Sequence, residues 1–183
     1  MKRTFTGMED KLFHQLDEPF RSRALQAAYR VNDRLALDPT VQLIIRDAFR
    51  NSEDQLALWK RGRYHDGSKW VEKHDPLEPV VTRAPPGRSA HEYRRAIHLI
   101  LVDAKTKRWL DASDKRWQVV GEEAEKAGLT WGGSWPNLRD MAHVEAKDWR
   151  EVAVYFGWSG MTPTDRFDLT QGGKVKLSVP DLG

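Results

Sequence analysis

The 183-residue chain contains no cysteine. Disulfides, thiolate metal sites and a thiol nucleophile are therefore excluded, and any metal has to be held by His, Asp or Glu. No apolar run approaches the roughly 20 residues needed to cross a bilayer, so no membrane partner is expected. Met1-Lys2-Arg3 has no apolar segment behind it, and the expectation is a protein made in a cytoplasm without a secretory signal. A strong charge of one sign is also missing. Thirty Lys and Arg against 27 Asp and Glu give a net charge of +3 and a pI near 9.2. That mild excess would suit a polyanion without requiring one. No repeat, low-complexity segment or linker divides the sequence, so one domain over residues 1–183 is expected. The stretch 160–183, punctuated by Gly and Pro, reads as a peripheral extension.

Hydrophobic spacing supplies the elements. Phe20, Ala24, Ala27, Val31 and Leu35 recur at steps of three and four, which predicts one helix over Phe20–Leu35 with Pro19 at its start. Val41–Arg46 is a short strand candidate. A second helix is expected from Ser52, where Ser52 and Gln55 have capping-box spacing, to about Arg63. Residues 64–88, rich in Gly, Pro, His and charge, read as a long loop. Ala96–Asp103 is the best strand. A helix follows over Asp114–Ala127 with Trp117, Val120 and Ala124 on one face and Gly128 as its C-cap. Trp131–Asp140 reads as a Gly/Trp loop and Met141–Glu145 as a short strand. Helices first and short strands later point to an α+β fold.

Six histidines are present. His14, His65 and His74 fall in a helical region and in the long loop, and read as solvated surface residues. His91 precedes the strongest strand, His98 lies within it, and His143 lies on the later short strand, three residues after Asp140. Hydrolytic zinc needs three protein ligands and an open position, which three imidazoles can supply. Spacing alone leaves this open, because scattered histidines are common and no His-Glu-x-x-His pattern is present.

Three blocks give these residues more weight. Ser89-Ala-His91-Glu-Tyr-Arg94-Arg-Ala96-Ile-His98 resembles Ser-x-His-x-x-Gly-x-Ala-x-Asp. Trp131-Gly-Gly-Ser-Trp135 with Asp140-Met-Ala-His143-Val-Glu145 resembles Gly-Gly-x-Trp…Asp-x-x-His-x-Glu. The segment from Asp47 through Arg50, Ser52, Gln55, Leu58 and Trp59 to Gly62-Arg63 is similar to Gly-Tyr-Arg-Ser…Gln…Leu-Tyr…Gly-Arg, and Thr82–Gly87 is similar to the lead-in to the first block. In this order, over roughly residues 20–150, the blocks resemble the LAS zinc metallopeptidases: D-Ala-D-Ala carboxypeptidases, D-Ala-D-Ala dipeptidases and L-alanyl-D-glutamate endopeptidases of phage endolysins.

The resemblance implies a LAS/hedgehog-like metallopeptidase domain, α+β, with a small central antiparallel sheet carrying zinc and helices packed on it. It implies His91, His98 and His143 as zinc ligands and Asp140 as the general base acting on the zinc-bound water. Arg50 becomes the arginine that polarises the scissile carbonyl and steadies the oxyanion, and Ser89 a serine that contacts substrate. Without the resemblance, Arg50 reads first as a helix-flanking surface arginine and Asp140 as a carboxylate in a turn. Two positions depart from the pattern: Arg94 stands at the signature glycine and His98 at the signature aspartate.

The implied function is zinc-dependent hydrolysis in peptidoglycan stem peptides, leaning to an L-alanyl-D-glutamate endopeptidase of endolysin type. Such a protein would be monomeric, accumulate in a host cytoplasm and act on the cell wall. The alternatives are a D,D-carboxypeptidase, or an inactive peptidoglycan-binding or virion protein. Nucleic acid is not an expected partner, because the Trp residues and the basic run Lys60-Arg-Gly-Arg63 read as core and solvated face.

Overall fold

The computed structural model describes Phe5 and residues 7–159; the extension expected over 160–183 lies outside them. The chain divides into two compact units, residues 1–49 with 94–149 and residues 50–93 with 150–183.

The first unit is built on a sheet of four strands, β1 (Val41–Arg46), β4 (Ala96–Asp103), β5 (Leu129–Trp131) and β6 (His143–Ala146), in the order β1-β4-β6-β5. Every pairing is antiparallel. β4 is an interior strand with a buried, nearly unbroken apolar sequence, as its composition predicts. Directly paired residues share a face of the sheet. Leu43 opposite Leu101, Ile45 opposite Leu99, Ile97 opposite Val144 and Leu129 opposite Ala146 therefore line one face, and all belong to the core. His98 opposite His143, and Thr130 opposite Glu145, line the other. The hydrophobic demand of the core thus fixes which face carries the polar residues.

Helices α1 (Met8–His14), α2 (Phe20–Leu35) and α4 (Trp117–Lys126) complete this unit. α2 has the predicted bounds and buries Phe20, Ala24, Ala27, Ala28, Val31 and Leu35. Its three alanines let α4 approach closely. Arg34 of α2 reaches Glu122 and Glu123 of α4 at 2.6 and 2.8 Å, which adds a polar clasp beside the apolar seam. The α4 helix starts at Trp117 rather than Asp114, because Asp114 is held instead by the Arg116 guanidinium at 2.7 Å. Gly128 ends the helix in a left-handed conformation, as expected of a C-cap glycine.

The second unit holds α3 (Ser52–Lys60) and the hairpin of β2 (Arg63–His65) and β3 (Trp70–Glu72). α5 (Trp149–Ser159) closes the described chain. Four expectations are corrected here. The cap of α3 is Asn51, whose side chain accepts the Asp54 N–H at 2.7 Å; Ser52 is already inside the helix, and Gln55 is buried for another purpose. The helix stops at Lys60 and not near Arg63. The segment read as a continuous loop contains the β2–β3 hairpin, which short length and charge concealed from a period-two reading. Arg63 is not on a solvated face: it is buried, lies over the Trp59 ring at 4.9 Å and donates to the Thr82 carbonyl at 3.1 Å.

Arg94, the departure from the signature glycine, sits at φ 58°, where side chains are strained and glycine is favoured. The side chain at this position is buried. The guanidinium lies 5.1 Å over the Phe49 ring and 3.9 Å from Asp17, and the Arg94 carbonyl accepts the Asp17 N–H at 3.4 Å. Arg94→Ala should keep the strain and lose these contacts, whereas Arg94→Gly relieves the strain. Denaturant unfolding should therefore find the glycine variant the more stable of the two by about 1 kcal/mol. Equal or reversed stabilities would show that residue 94 is not strained.

Candidate active site

On the polar face of the sheet, β4 presents His98 and β6 presents His143. Strand pairing sets their rings against each other, with His98 Nε2 3.3 Å from His143 Nδ1. Two nitrogens bound to a tetrahedral zinc, each about 2.0–2.1 Å from it, are separated by about 3.3–3.4 Å. The spacing fits that metal. Both rings are candidate metal ligands, each offering one nitrogen.

Each sheet histidine has a carboxylate behind it. His143 Nε2 is 3.0 Å from Glu145 Oε2, while the other oxygen of Glu145 accepts the Trp149 indole N–H at 3.0 Å. Glu145 is buried, so its oxygens are directed by these partners rather than by solvent. His98 Nδ1 is 3.3 Å from Asp47 Oδ2. Asp140 lies 3.5 Å from the His98 nitrogen turned toward His143, whereas on His143 the nitrogen turned toward His98, Nδ1, is not the one that Glu145 engages. The pairing of Glu145 with His143 is the arrangement by which outer carboxylates orient imidazole ligands. Trp135 packs against His143 with ring centroids 4.9 Å apart and limits the rotation of that ring.

Asp140 stands beside the pair. Its Oδ2 is 3.5 Å from His98 Nε2, and its Oδ1 accepts the Ala142 N–H at 3.2 Å. One oxygen is thereby fixed to the backbone and the other is directed to the histidines. The loop is shaped by Gly132, whose carbonyl accepts the Asp140 N–H at 3.2 Å. A Cβ at Gly132 would meet the Asp140 carbonyl oxygen at 2.7 Å and His143 Cβ at 2.9 Å. The Gly/Trp block thus exists for close approach: Gly133 leaves room for the Trp131 ring, whose indole N–H is fixed to the Met141 carbonyl at 2.8 Å.

In the other unit, His91 and Ser89 are buried at the 3-10 turn Ala90–Tyr93. Glu92, wholly buried in the same turn, organises them. It accepts from the Gly87 and Ser89 N–H groups at 2.8 and 3.2 Å and from the Ser52 hydroxyl at 2.9 Å. Sequence reading passed over Glu92, although an acid inside a run of site residues was the available signal. Tyr93 donates to the Gly87 carbonyl at 2.9 Å, and burial pushes its hydroxyl above the ordinary tyrosine range. Arg50 is joined to this turn through its backbone, with its N–H on the His91 carbonyl at 3.3 Å. Its guanidinium donates to Gln55 Oε1 at 2.9 Å, and Gln55, fully buried, donates in turn to the Ala84 carbonyl at 2.7 Å. Arg50 is therefore a positioned side chain.

The remaining histidines are outside the cluster. His14 is exposed beside Asp10, His65 accepts the Gly67 N–H, and His74 is exposed. Asp103 is spent on the turn after β4, where it accepts the Lys105 and Thr106 N–H groups, so it is no substitute ligand.

The chain is similar to several known proteins. Residues 82–146 match a peptidase family described as D-alanyl-D-alanine carboxypeptidase. Over 117 residues the chain is 28% identical to the peptidoglycan L-alanyl-D-glutamate endopeptidase CwlK of Bacillus subtilis strain 168, covering 60% of this chain and 64% of that protein. The chain thus spans just under two thirds of that relative's length. Among solved structures it is similar to the Serratia marcescens L-Ala D-Glu endopeptidase ChiX, with a TM-score of 0.49 and 14% identity over 83% of this chain and 95% of that one.

Gly132→Ala should test how tightly the loop is built. The added methyl has to displace backbone or His143, so unfolding in denaturant should show a loss of about 1–3 kcal/mol. An unchanged midpoint would mean that the loop yields freely and does not fix Asp140.

Proposed function

We propose that the chain is a LAS-type metallopeptidase that hydrolyses a peptide bond in the stem peptides of bacterial peptidoglycan, with zinc held by His91, His98 and His143. The observation that carries this reading is the 3.3 Å spacing of the two sheet-borne imidazole nitrogens with the Asp140 carboxylate 3.5 Å away. The bond between L-alanine and D-glutamate is the preferred target, supported by the likeness to CwlK. The family description favours a second reading, removal of the terminal D-alanine. The finer assignment as an endolysin-like enzyme rests on the Gly-Arg segment and the Gly-Gly-x-Trp block.

When bound, zinc supplies the Lewis acidity that amide hydrolysis requires. The residues supply the rest. Asp140 Oδ2 takes the proton of the attacking water and returns it to the departing amine, so the acid needed to expel nitrogen is generated by the first step. Holding Oδ1 on the Ala142 N–H keeps Oδ2 as the working oxygen. Arg50 contributes a permanent positive charge to the developing oxyanion, and Gln55 spares it the entropy of being ordered at the moment of reaction. Ser89, fixed through its N–H to Glu92, contacts the substrate.

Digestion of purified peptidoglycan, read by mass spectrometry with and without a chelator, tests the proposal. The wild type should open the L-alanyl-D-glutamate bond and stop when chelated. Release of D-alanine alone would select the second reading. Asp140→Asn should retain its zinc in elemental analysis and lose roughly 10²–10⁴-fold in rate, the usual range for a positioned acid–base group. Cleavage by this variant at the wild-type rate, or cleavage indifferent to chelator, would sink the mechanism.

A further inference from the structure

Ser89 and His91 are carried by a single 3-10 turn, Ala90–Tyr93, with no ladder of its own to hold it. Ser89 and Glu92 have the spacing of a capping box. In that motif the serine hydroxyl takes the N–H three residues on, and the acid takes the N–H of the serine. Only the second half forms here. Glu92 Oε2 accepts the Ser89 N–H at 3.2 Å, but the Glu92 N–H goes to the Ser89 carbonyl at 3.0 Å and leaves the hydroxyl out of the cap. Glu92 gathers other donors as well. The Gly87 N–H reaches its two oxygens at 2.9 and 2.8 Å, and the Ser52 hydroxyl reaches Oε1 at 2.9 Å. The neighbouring His91 carbonyl accepts the Arg50 N–H at 3.3 Å, so residues 91 and 92 are bonded to residues 50 and 52.

Glu92 is 1% exposed, and these donors are all neutral. A carboxylate withdrawn from water is costly unless hydrogen bonds replace its hydration. Three donors, from the loop, the turn and the start of α3, converge to do so. An acceptor-only group matches a set made only of donors, whereas a hydroxyl or an amide would bring a donor of its own. We propose that Glu92 is a positioning residue: it caps the turn in place of Ser89, ties it to the segment that carries Arg50, and so leaves the Ser89 hydroxyl for substrate and His91 in a fixed place. The inference rests on the roles proposed above for Ser89 and His91.

Amide hydrogen exchange in metal-free protein reads the cap directly. In wild type the Gly87 and Ser89 amides should exchange slowly. In Glu92→Ala they should exchange freely while the β4 amides stay protected. Zinc should then bind roughly 10–100-fold more weakly in competition with a chromophoric chelator, the usual cost of losing an outer-shell partner. Glu92→Gln separates placement from charge. Its amide oxygen can take the two N–H groups, and its nitrogen can donate to Ser52, whose hydroxyl rotates to accept. This variant should keep the slow amides and bind zinc nearly as wild type does, and adding Ser52→Ala should remove both. A Glu92→Ala protein with slow Gly87 and Ser89 amides, or with wild-type zinc affinity, would overturn the inference. A Glu92→Gln protein as impaired as Glu92→Ala would overturn it too, because charge and not placement would then be the contribution. Should Glu92→Ala not fold, the glutamine variant decides: no difference with and without Ser52→Ala sinks the proposal. Wild type that binds no zinc would instead remove the metal site, and the exchange rates would still decide whether Glu92 holds the turn.

Discussion

The antiparallel pairing of β4 with β6 is the constraint on which the candidate site depends. It places His98 opposite His143, and the pleat then puts both rings on one face with Glu145 two residues along. A slip of one residue in either strand would bring Ile97 or Val144 into that position and turn a histidine into the core. The register is secured by the opposite face, where Ile97, Leu99, Val144 and their partners are fully buried. The stability of the apolar layer and the geometry of the polar one are thus two consequences of one pairing.

Two of the four left-handed non-glycine residues among the described residues, and one close glycine contact, lie around that pair. Asp47 and Arg94 both lie in the left-handed region, one at the end of β1 and one just before β4. Gly132 permits a chain approach that no side chain would allow. Each of these features would cost stability in an ordinary position. Each is tied to a specific partner here: Asp47 to His98, Arg94 to Asp17 and Phe49, and Gly132 to Asp140. Such departures from local preference tend to gather where geometry matters more than local energy.

The substitution of histidine for the aspartate implied at position 98 changes the electrostatics of the cluster. A neutral ring takes the place of a carboxylate among the candidate ligands. A negative charge nevertheless remains close by, because Asp47 stands directly behind His98 and Asp140 beside it. The structure therefore keeps acidic character around the histidines while moving it outward from the ligand position. Arg94 is a parallel case, in which a charged side chain occupies a glycine position and lies against the Asp17 carboxylate and the Phe49 ring rather than changing the backbone.

Much of the first unit was legible from residues alone. The bounds of α2, β1 and β4 followed from hydrophobic spacing, because each is a long or uninterrupted segment whose period is set by burial on one side. The pairing of Asp140 with His143, and their closeness to His98, could be anticipated from the motif blocks. Short elements could not. β5, of three residues, and the β2–β3 hairpin lack the length for a period to emerge. The cap of α3 went to Asn51 rather than Ser52 because competing oxygens one residue apart are separated only by backbone geometry. The placements of Asp47, Glu92 and Arg63 were likewise set by tertiary structure. Their partners lie far along the chain or across a turn, and a charged residue in a sequence does not state whether it will be solvated or buried against a ring. Sequence determined which residue types were available for chemistry and which segments had to be buried. Only the folded chain decided which nitrogen of each sheet histidine faces the other, because that depends on the partners that strand pairing and turns bring around each ring.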